Sequence, residues 1–574
     1  MRSITLAVLL AVFTLPAAGQ SGQGDRIHGP NFASRSPALG VNGMASTSHP
    51  VATQVAVDIL KEGGSAVDAA IAANAVLGFV ESNNSGIGGD LFAIVWDEKS
   101  GELHGLNASG RSSQHLSYDD LRERLGDAVG IPLYGPLSIS VPGAVNGWYE
   151  LHDRFGSLSM EDVLAPAIHH AREGVPMNDV VAFSWQQAYQ RLKANEEAIG
   201  EFDNFEETFV TDGRMADFGE IFRNPDLART YERIAEGGRD AFYEGEIADA
   251  IDAYARRTGI PIRKSDLQAH AGTWVDPIST TYRGYEVYEL PPNGQGLTVV
   301  QMLNILEGFD LASMGHNTAD YLHVLIEAKK LAFADRAVHY ADPDFADIPL
   351  GRLLSKDYAA DQRAQIDMNR AMDRVDTGAL GHGDTVYLTV ADGDGNMVSL
   401  IQSNFLEFGS GMVPDDLGFV FQSRGSQFSL DPDHANVYEP GKRPFHTIIP
   451  AFAMRDGEPF MAFGVMGGPF QPQGHVQVFL NVVEFGMNVQ AAGDAARFSH
   501  SSGLQPTGGT MVHGGNVAFE SGIPAEVQLD LAHRGHIIAP TDFFGGYQAV
   551  IWDAEHGVYH GGADRRKDGS AIGY

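Results

Sequence analysis

The sequence predicts a layered α/β or α+β protein, and three observations carry that reading. Up to about residue 384 most segments show helical spacing, several with a hydroxyl cap in front. Around and after Thr385 the pattern changes to strand pairs, alternating in period two and separated by short turns rich in Gly, Asp and Asn. The 574 residues, 43% of them hydrophobic, suffice for a large core and typically for more than one domain.

The elements follow in chain order. Residues 1–20 hold one basic residue, Arg2, then an apolar run over 4–15 and Pro-Ala-Ala-Gly. This is the make-up of a secretory signal peptide, 1–19, cut near Gly19. Its apolar run is too short to span a bilayer well, and no later run reaches membrane length. Residues 20–37 read as a loose polar arm. Ser48-His49-Pro50 reads as a helix start, with Ser48 the cap and Pro50 in the first turn. Residues 51–60 continue it, and Gly63-Gly64 stops it. Ser65 caps a helix over 66–77 that is small and apolar nearly all round, and therefore buried. Glu81-Ser-Asn-Asn-Ser-Gly-Ile-Gly-Gly-Asp90 leads into a strand at 91–96. It lacks Gly-Lys-Ser/Thr and precedes a strand, so it is no phosphate loop, and local features favour tight backbone packing. Residues 103–111 read as a second strand ending in Arg111.

Helices are expected from Ser140 onward and at 160–173, and most of 180–260 reads as helical with charged, solvated faces. A strand at 282–290, a turn at 291–296 and a helix at 297–307 precede a long amphipathic helix at 321–340. Residues 368–383 are polar, without a packing pattern, and read as exposed. Val386, Leu388 and Val390 then alternate with Tyr387, Thr389 and Ala391, and Asp392-Gly-Asp-Gly-Asn396 turns the chain into a partner strand at 397–403. A hairpin at 448–454 and 460–465, a helix at 475–485 and a strand pair at 548–553 and 557–561 complete the reading.

Composition excludes several classes. Lys and Arg number 39 against 74 Asp and Glu, a net charge of −35, which argues against an extended nucleic-acid contact. The absence of cysteine removes disulfides, thiol nucleophiles and thiolate metal sites together. The 392–396 turn fails as a calcium loop, because Gly395 comes early and Ser403 stands where a bidentate Glu belongs. No His-Glu-x-x-His and no Gly-x-Ser-x-Gly occurs. Locally, Thr385 is a hydroxyl at a strand edge, like most threonines.

A set of motifs gives that threonine more meaning. Ser48-His49-Pro50, Gly63 to Ala70, Ser85-Gly-Ile-Gly-Gly89, Val141-Pro-Gly143, Pro291-Pro-x-Gly-Gln-Gly296, Ala332-Phe-Ala-Asp-Arg336, Gly383-Asp-Thr385, Lys442-Arg-Pro444 and Gly467-Gly468 occur in this order. In them the chain resembles the gamma-glutamyltransferase family of N-terminal-nucleophile hydrolases, from about residue 40 to the C-terminus. The resemblance implies a four-layer αββα sandwich and a precursor that cuts itself between Asp384 and Thr385. The products are a large subunit, 20–384, and a small catalytic subunit, 385–574, held together as a heterodimer. Thr385 then offers both a hydroxyl nucleophile and a free α-amine as base. Ser403 matches a hydroxyl that positions the nucleophile, and Gly467 and Gly468 match oxyanion-hole glycines. Arg111 matches the arginine that holds the substrate's α-carboxylate.

Where relatives that use glutathione carry an Asn, a Gln, an Asp and two serines, this sequence has Phe405, Arg424, Gln427, His446 and Thr447. A substrate α-ammonium calls for a carboxylate; Gln427 offers a neutral amide and Arg424 a repelling charge. The stretch 428–442 is short, implying that a pocket lid is missing and that water has access. The expectation is an exported, periplasmic or secreted gamma-glutamyltransferase/glutathione hydrolase without metal or cofactor. It takes a small γ-glutamyl or related amide and binds neither nucleic acid nor, after signal removal, a membrane span. A glutaryl/cephalosporin-type amide acylase is the alternative, and an unprocessed extracellular binding protein the second.

Overall fold

The computed structural model describes residues 35–373, 384–501, 505–507, 514–541 and 543–574. The expected leader at 1–19, most of the arm at 20–37 and the segment 374–383 ahead of Thr385 lie outside the described residues.

The molecule is built on two seven-stranded antiparallel sheets. One runs Ala38–Gly40, Val558–Ala563, Tyr547–Asp553, Glu458–Val465, Ala451–Arg455, Tyr285–Glu289, Ile278–Tyr282. The other runs Ser570–Gly573, Met44–Thr47, Asp384–Ala391, Met397–Phe405, Asp90–Asp97, Glu102–Asn107, Thr273–Val275. Each sheet therefore combines strands from before and after Thr385. The hairpin that begins at Thr385 sits in the interior of the second sheet, paired on both sides.

Period two decides where each side chain goes. Val386, Leu388 and Val390 face a core shared with helices Pro50–Lys61, Ala66–Val80, Ala144–Phe155 and Met160–Glu173. Tyr387 and Ala391 face the other sheet, against Phe452, Ala462 and Val550. The far side of that sheet, with Val287, Ala451, Phe463 and Ala549, packs on helices Gly296–Leu306, Ala319–His339 and Gln471–Val483. Ala66–Val80 is buried along its whole length, and Ser65 and Asp68 form a reciprocal capping box at its start. These elements bear out the α+β class.

Four local readings change. The cap of Pro50–Lys61 is His49, whose Nδ1 accepts from the Val51 amide at 3.3 Å. Ser48 instead donates to Glu81 Oε1 at 2.5 Å, tying the helix start to the Gly-rich turn. The strand read at 103–111 ends at Asn107, because the Asn107 and Asp90 side chains take the amides of Ser109 (3.0 Å) and Gly110 (2.8 Å) and peel the chain away. The last long helix starts at Gln471, earlier than read, because Pro472 is tolerated in a first turn. Ala319–His339 is not amphipathic: His323, Glu327, Lys329, Lys330 and Arg336 are all buried. Their polar groups find partners inside, Glu327 with Lys330 at 2.7 Å, Lys329 with His500 Nδ1 at 2.8 Å and His323 with His536 at 2.8 Å. Burial of such groups is tolerable only with partners of this kind.

Candidate active site

The register of the central hairpin shifts where the first strand begins. Asp384 pairs with Phe405 but Val386 pairs with Gln402, so the second strand holds one extra residue opposite Thr385. Such a bulge redirects side chains. Phe405 at its end has φ of 78°, unusual for a side chain of this size. The bulge is clamped from several directions. The Phe405 amide donates to Ser403 Oγ at 2.8 Å, the Asn404 amide to Asn84 O at 3.1 Å, and Asn404 Nδ2 to Ser85 O at 3.0 Å. Gly89 lies directly behind: a Cβ there would come within 2.5 Å of both Ser403 O and Asn404 Oδ1. The tight packing read from the Gly-rich turn thus supports the site itself.

Thr385 is fully buried. Its hydroxyl donates to Ser403 Oγ at 3.4 Å and accepts from Gln471 Nε2 at 3.3 Å. Gln471 Oε1 is fixed in turn by the Ile449 amide at 3.0 Å. Gln471 opens the helix Gln471–Val483, and the chain reaches that helix through Gly467 (φ 121°) and Gly468 (φ 52°). Both glycines adopt backbone conformations that L side chains rarely reach, and a Cβ on Gly467 would sit 2.8 Å from the Phe543 ring. Through Gln471 the start of this helix lies beside the threonine, and a helix N-terminus favours negative charge nearby. Gln295 braces the turn, donating to Gly468 O at 2.9 Å and Thr447 O at 2.6 Å while its Oε1 accepts from Arg336.

The replaced positions gather nearby. Arg424 is fully buried, donates from Nη1 to Thr447 Oγ1 at 2.8 Å, and lies over the Phe405 ring with 4.6 Å to its centroid. Burial pushes its guanidinium down to about 9. His446 Nε2 is 3.1 Å from Asp90 Oδ2, and burial, with the Arg424 charge, pushes the ring down to about 4, so it is neutral at neutral pH. Asp90 occupies the register position opposite Ser403 on the neighbouring strand. Gln427 is buried with Oε1 unpartnered, as are Asn404 Oδ1, Ser423 Oγ, and Nε and Nη2 of Arg424. Buried polar atoms in a folded protein are nearly always satisfied, by protein groups, by water or by a ligand. Phe428 and Tyr438, from the short stretch 428–442, pack with Leu116, Leu121 and Ile131.

Arg111 sits differently. Its guanidinium pairs with Asp342 at 3.0 Å and Asp344 at 2.6 Å, donates to Gly441 O at 3.1 Å, and is about a third exposed. Asp384 begins the strand that carries Thr385. The structure therefore brings Thr385 and Ser403 into contact with each other, and Arg424 into contact with Thr447. Gln471, Gln295 and Asp90 escape a reading of the sequence. Gln295 lies within a quoted motif and Asp90 directly follows one, so proximity to motifs was the available signal; Gln471 had only its closeness to Gly467-Gly468.

The chain is similar to several known proteins. A gamma-glutamyltranspeptidase family model matches residues 52–574. The chain is 36% identical to the glutathione hydrolase-like YwrD proenzyme of Bacillus subtilis, over 93% of this chain and 99% of that protein. It is 30% identical to the glutathione hydrolase proenzyme of Escherichia coli, over 100% of this chain and 99% of that one. Among solved structures it is similar to a cephalosporin acylase from Bacillus halodurans, with TM-score 0.88 and 41% identity, covering 96% of this chain and 99% of that one.

Proposed function

Because the chain belongs to the gamma-glutamyltranspeptidase family, we propose that it is a self-processing threonine amide hydrolase acting on γ-glutamyl or related carboxyl-bearing acyl amides. The observation that carries the reading is Thr385 Oγ1 held between Ser403 and Gln471 at the foot of the Gly467-Gly468 turn. The helix, sheet, sheet, helix packing is read as the four-layer αββα sandwich, and 1–19 as the leader that exports it to the periplasm or medium.

In the first event the Thr385 hydroxyl attacks the Asp384 carbonyl carbon. The Asp384–Thr385 amide bond breaks as an ester to Oγ1 forms, and the proton passes to the Thr385 nitrogen. Water hydrolyses the ester, leaving an Asp384 carboxylate and a free Thr385 amine. In turnover that amine, ordinarily with a pKa near 8, takes the hydroxyl proton as Oγ1 attacks the substrate carbonyl. The oxyanion is met by the Gly467 and Gly468 amides, each such donor typically worth about 3 kcal/mol. The tetrahedral intermediate collapses with protonation of the leaving amine. Water or an amine nucleophile then releases the acyl group and restores Thr385.

A second reading, a glutaryl- or cephalosporin-type acylase, is favoured by Gln427 and Arg424 at the positions where an α-ammonium would need a carboxylate. Comparing γ-glutamyl-anilide with glutaryl-anilide turnover separates the two. Denaturing electrophoresis tests what they share. The wild type should resolve into two bands divided at residue 384, and Thr385→Ala should stay whole and inactive. A wild type that stays whole on prolonged incubation would leave only the binding-protein reading, and an active Thr385→Ala would remove the nucleophile assignment.

A further inference from the structure

We propose that Arg424, rather than Arg111, grips the carboxylate of the acyl group, so that the enzyme selects amides whose acyl chain ends in a free carboxylate. The inference rests on Thr385 being the nucleophile and adds to that reading the side chain that chooses the substrate.

Three observations on Arg424 lead here. Its guanidinium is fully buried, and Nε and Nη2 have no hydrogen-bond partner. No carboxylate pairs with it among the described residues. The acid that acts on it through space, Asp90, is turned to the Gly110 amide at 2.8 Å and to His446 at 3.1 Å. A buried cation without a counter-ion is costly unless something supplies the missing charge. Nε and one terminal nitrogen of a guanidinium present two parallel N–H bonds, the fork that matches a carboxylate.

Its place is the second part of the argument. The Phe405 ring beneath it belongs to the residue whose amide holds Ser403, the hydroxyl in contact with Thr385. Thr447, which accepts from Arg424, is joined through Gln295 to Gly468. Arg424 is thus linked to the nucleophile through Phe405 and Ser403, and to the oxyanion turn through Thr447 and Gln295. Arg111 lacks this vacancy, since Asp342 and Asp344 already balance its charge. A carboxylate arriving there would meet two anions, whereas one arriving at Arg424 meets an unpaired cation with a hydroxyl, Thr447 Oγ1, alongside.

The test compares glutaryl-anilide with its methyl ester, which removes the charge and adds one methyl group. The self-cleaved wild type should prefer the free acid by about 100-fold or more in kcat/KM. Arg424→Gln should remove most of that preference, mainly by raising KM on the free acid, while the ester is affected little. Arg424→Lys should restore part of it, which separates lost charge from lost folding. The proposal is overturned if the wild type hydrolyses both anilides equally, or if a self-cleaved enzyme hydrolyses neither. Loss of the preference in Arg111→Gln with its retention in Arg424→Gln overturns it as well. Failure of the nucleophile reading shows separately, as a wild type that does not cleave itself.

Discussion

Gln471 is the side chain that separates positioning from chemistry. It carries no proton that the reaction consumes, yet it donates to Thr385 Oγ1 and is itself locked by the Ile449 amide. Gln471→Ala is expected to lower kcat by about 10- to 100-fold, with KM nearly unchanged, because misplacement of a nucleophile costs rate more than binding. Steady-state kinetics on the self-cleaved enzyme checks this. Gln295→Ala should behave differently. It leaves Thr447 O, Gly468 O and a buried Arg336 with fewer partners, so a loss of about 2–3 kcal/mol in urea-unfolding stability should accompany the fall in rate. Thr385 and the two glycines were legible in the sequence because they sit in short motifs of the family resemblance, and Ser403 because it matches a family hydroxyl position on the partner strand. Gln471 and Gln295 were not, because their roles exist only through contacts between distant segments. Arg424 shows an intermediate case: the sequence made it visible as a departure, while only its burial and missing partners give it a task.

At the level of elements, the Gly-rich turn before the strand Asp90–Asp97 sets the shape of the site from behind. A Cβ at position 89 would press on Ser403 O and Asn404 Oδ1 at 2.5 Å, the two residues of the bulge facing Thr385. Gly89→Ala should therefore slow self-cleavage at least about tenfold and destabilise the protein by roughly 1–3 kcal/mol, as overpacking commonly does. An electrophoretic time course with a urea titration reads both. Local pattern served well for the apolar helix Ala66–Val80 and for the hairpins, where propensity and burial agree. It misled for Ala319–His339, because a charged face normally signals solvent and here signals paired charge in an interior. The early start of Gln471–Val483 was hidden for a related reason: Pro472 looks like a break until the glycine turn delivers it into a first turn.

On the scale of the whole molecule, several histidines are buried and held neutral. His49, His270 and His475 are pushed down to about 3 and His446 to about 4, from 6.5, each mainly by burial. The unfolded chain therefore binds protons that the folded chain refuses. Above pH 6.5 neither state binds them and the contribution to stability is level. Between 6.5 and about 4 only the unfolded state does, so stability falls as pH falls, by up to about 1.4 kcal/mol per pH unit for each histidine. Urea midpoints should be flat above pH 7 and drop steeply from 6.5 toward 4; midpoints constant across that window would contradict the assignment. The mixing of strands from both sides of Thr385 in the two sheets has a different consequence. Met44–Thr47 is flanked by Ser570–Gly573 and Asp384–Ala391, and Asp90–Asp97 lies against Met397–Phe405. Once the 384–385 bond is cut, neither fragment owns a complete sheet, so the two are woven rather than docked. Separation then requires unfolding, and unfolding releases two chains, so the thermal midpoint of the cut protein should fall on dilution, and neither fragment made alone should regain the shape it has in company.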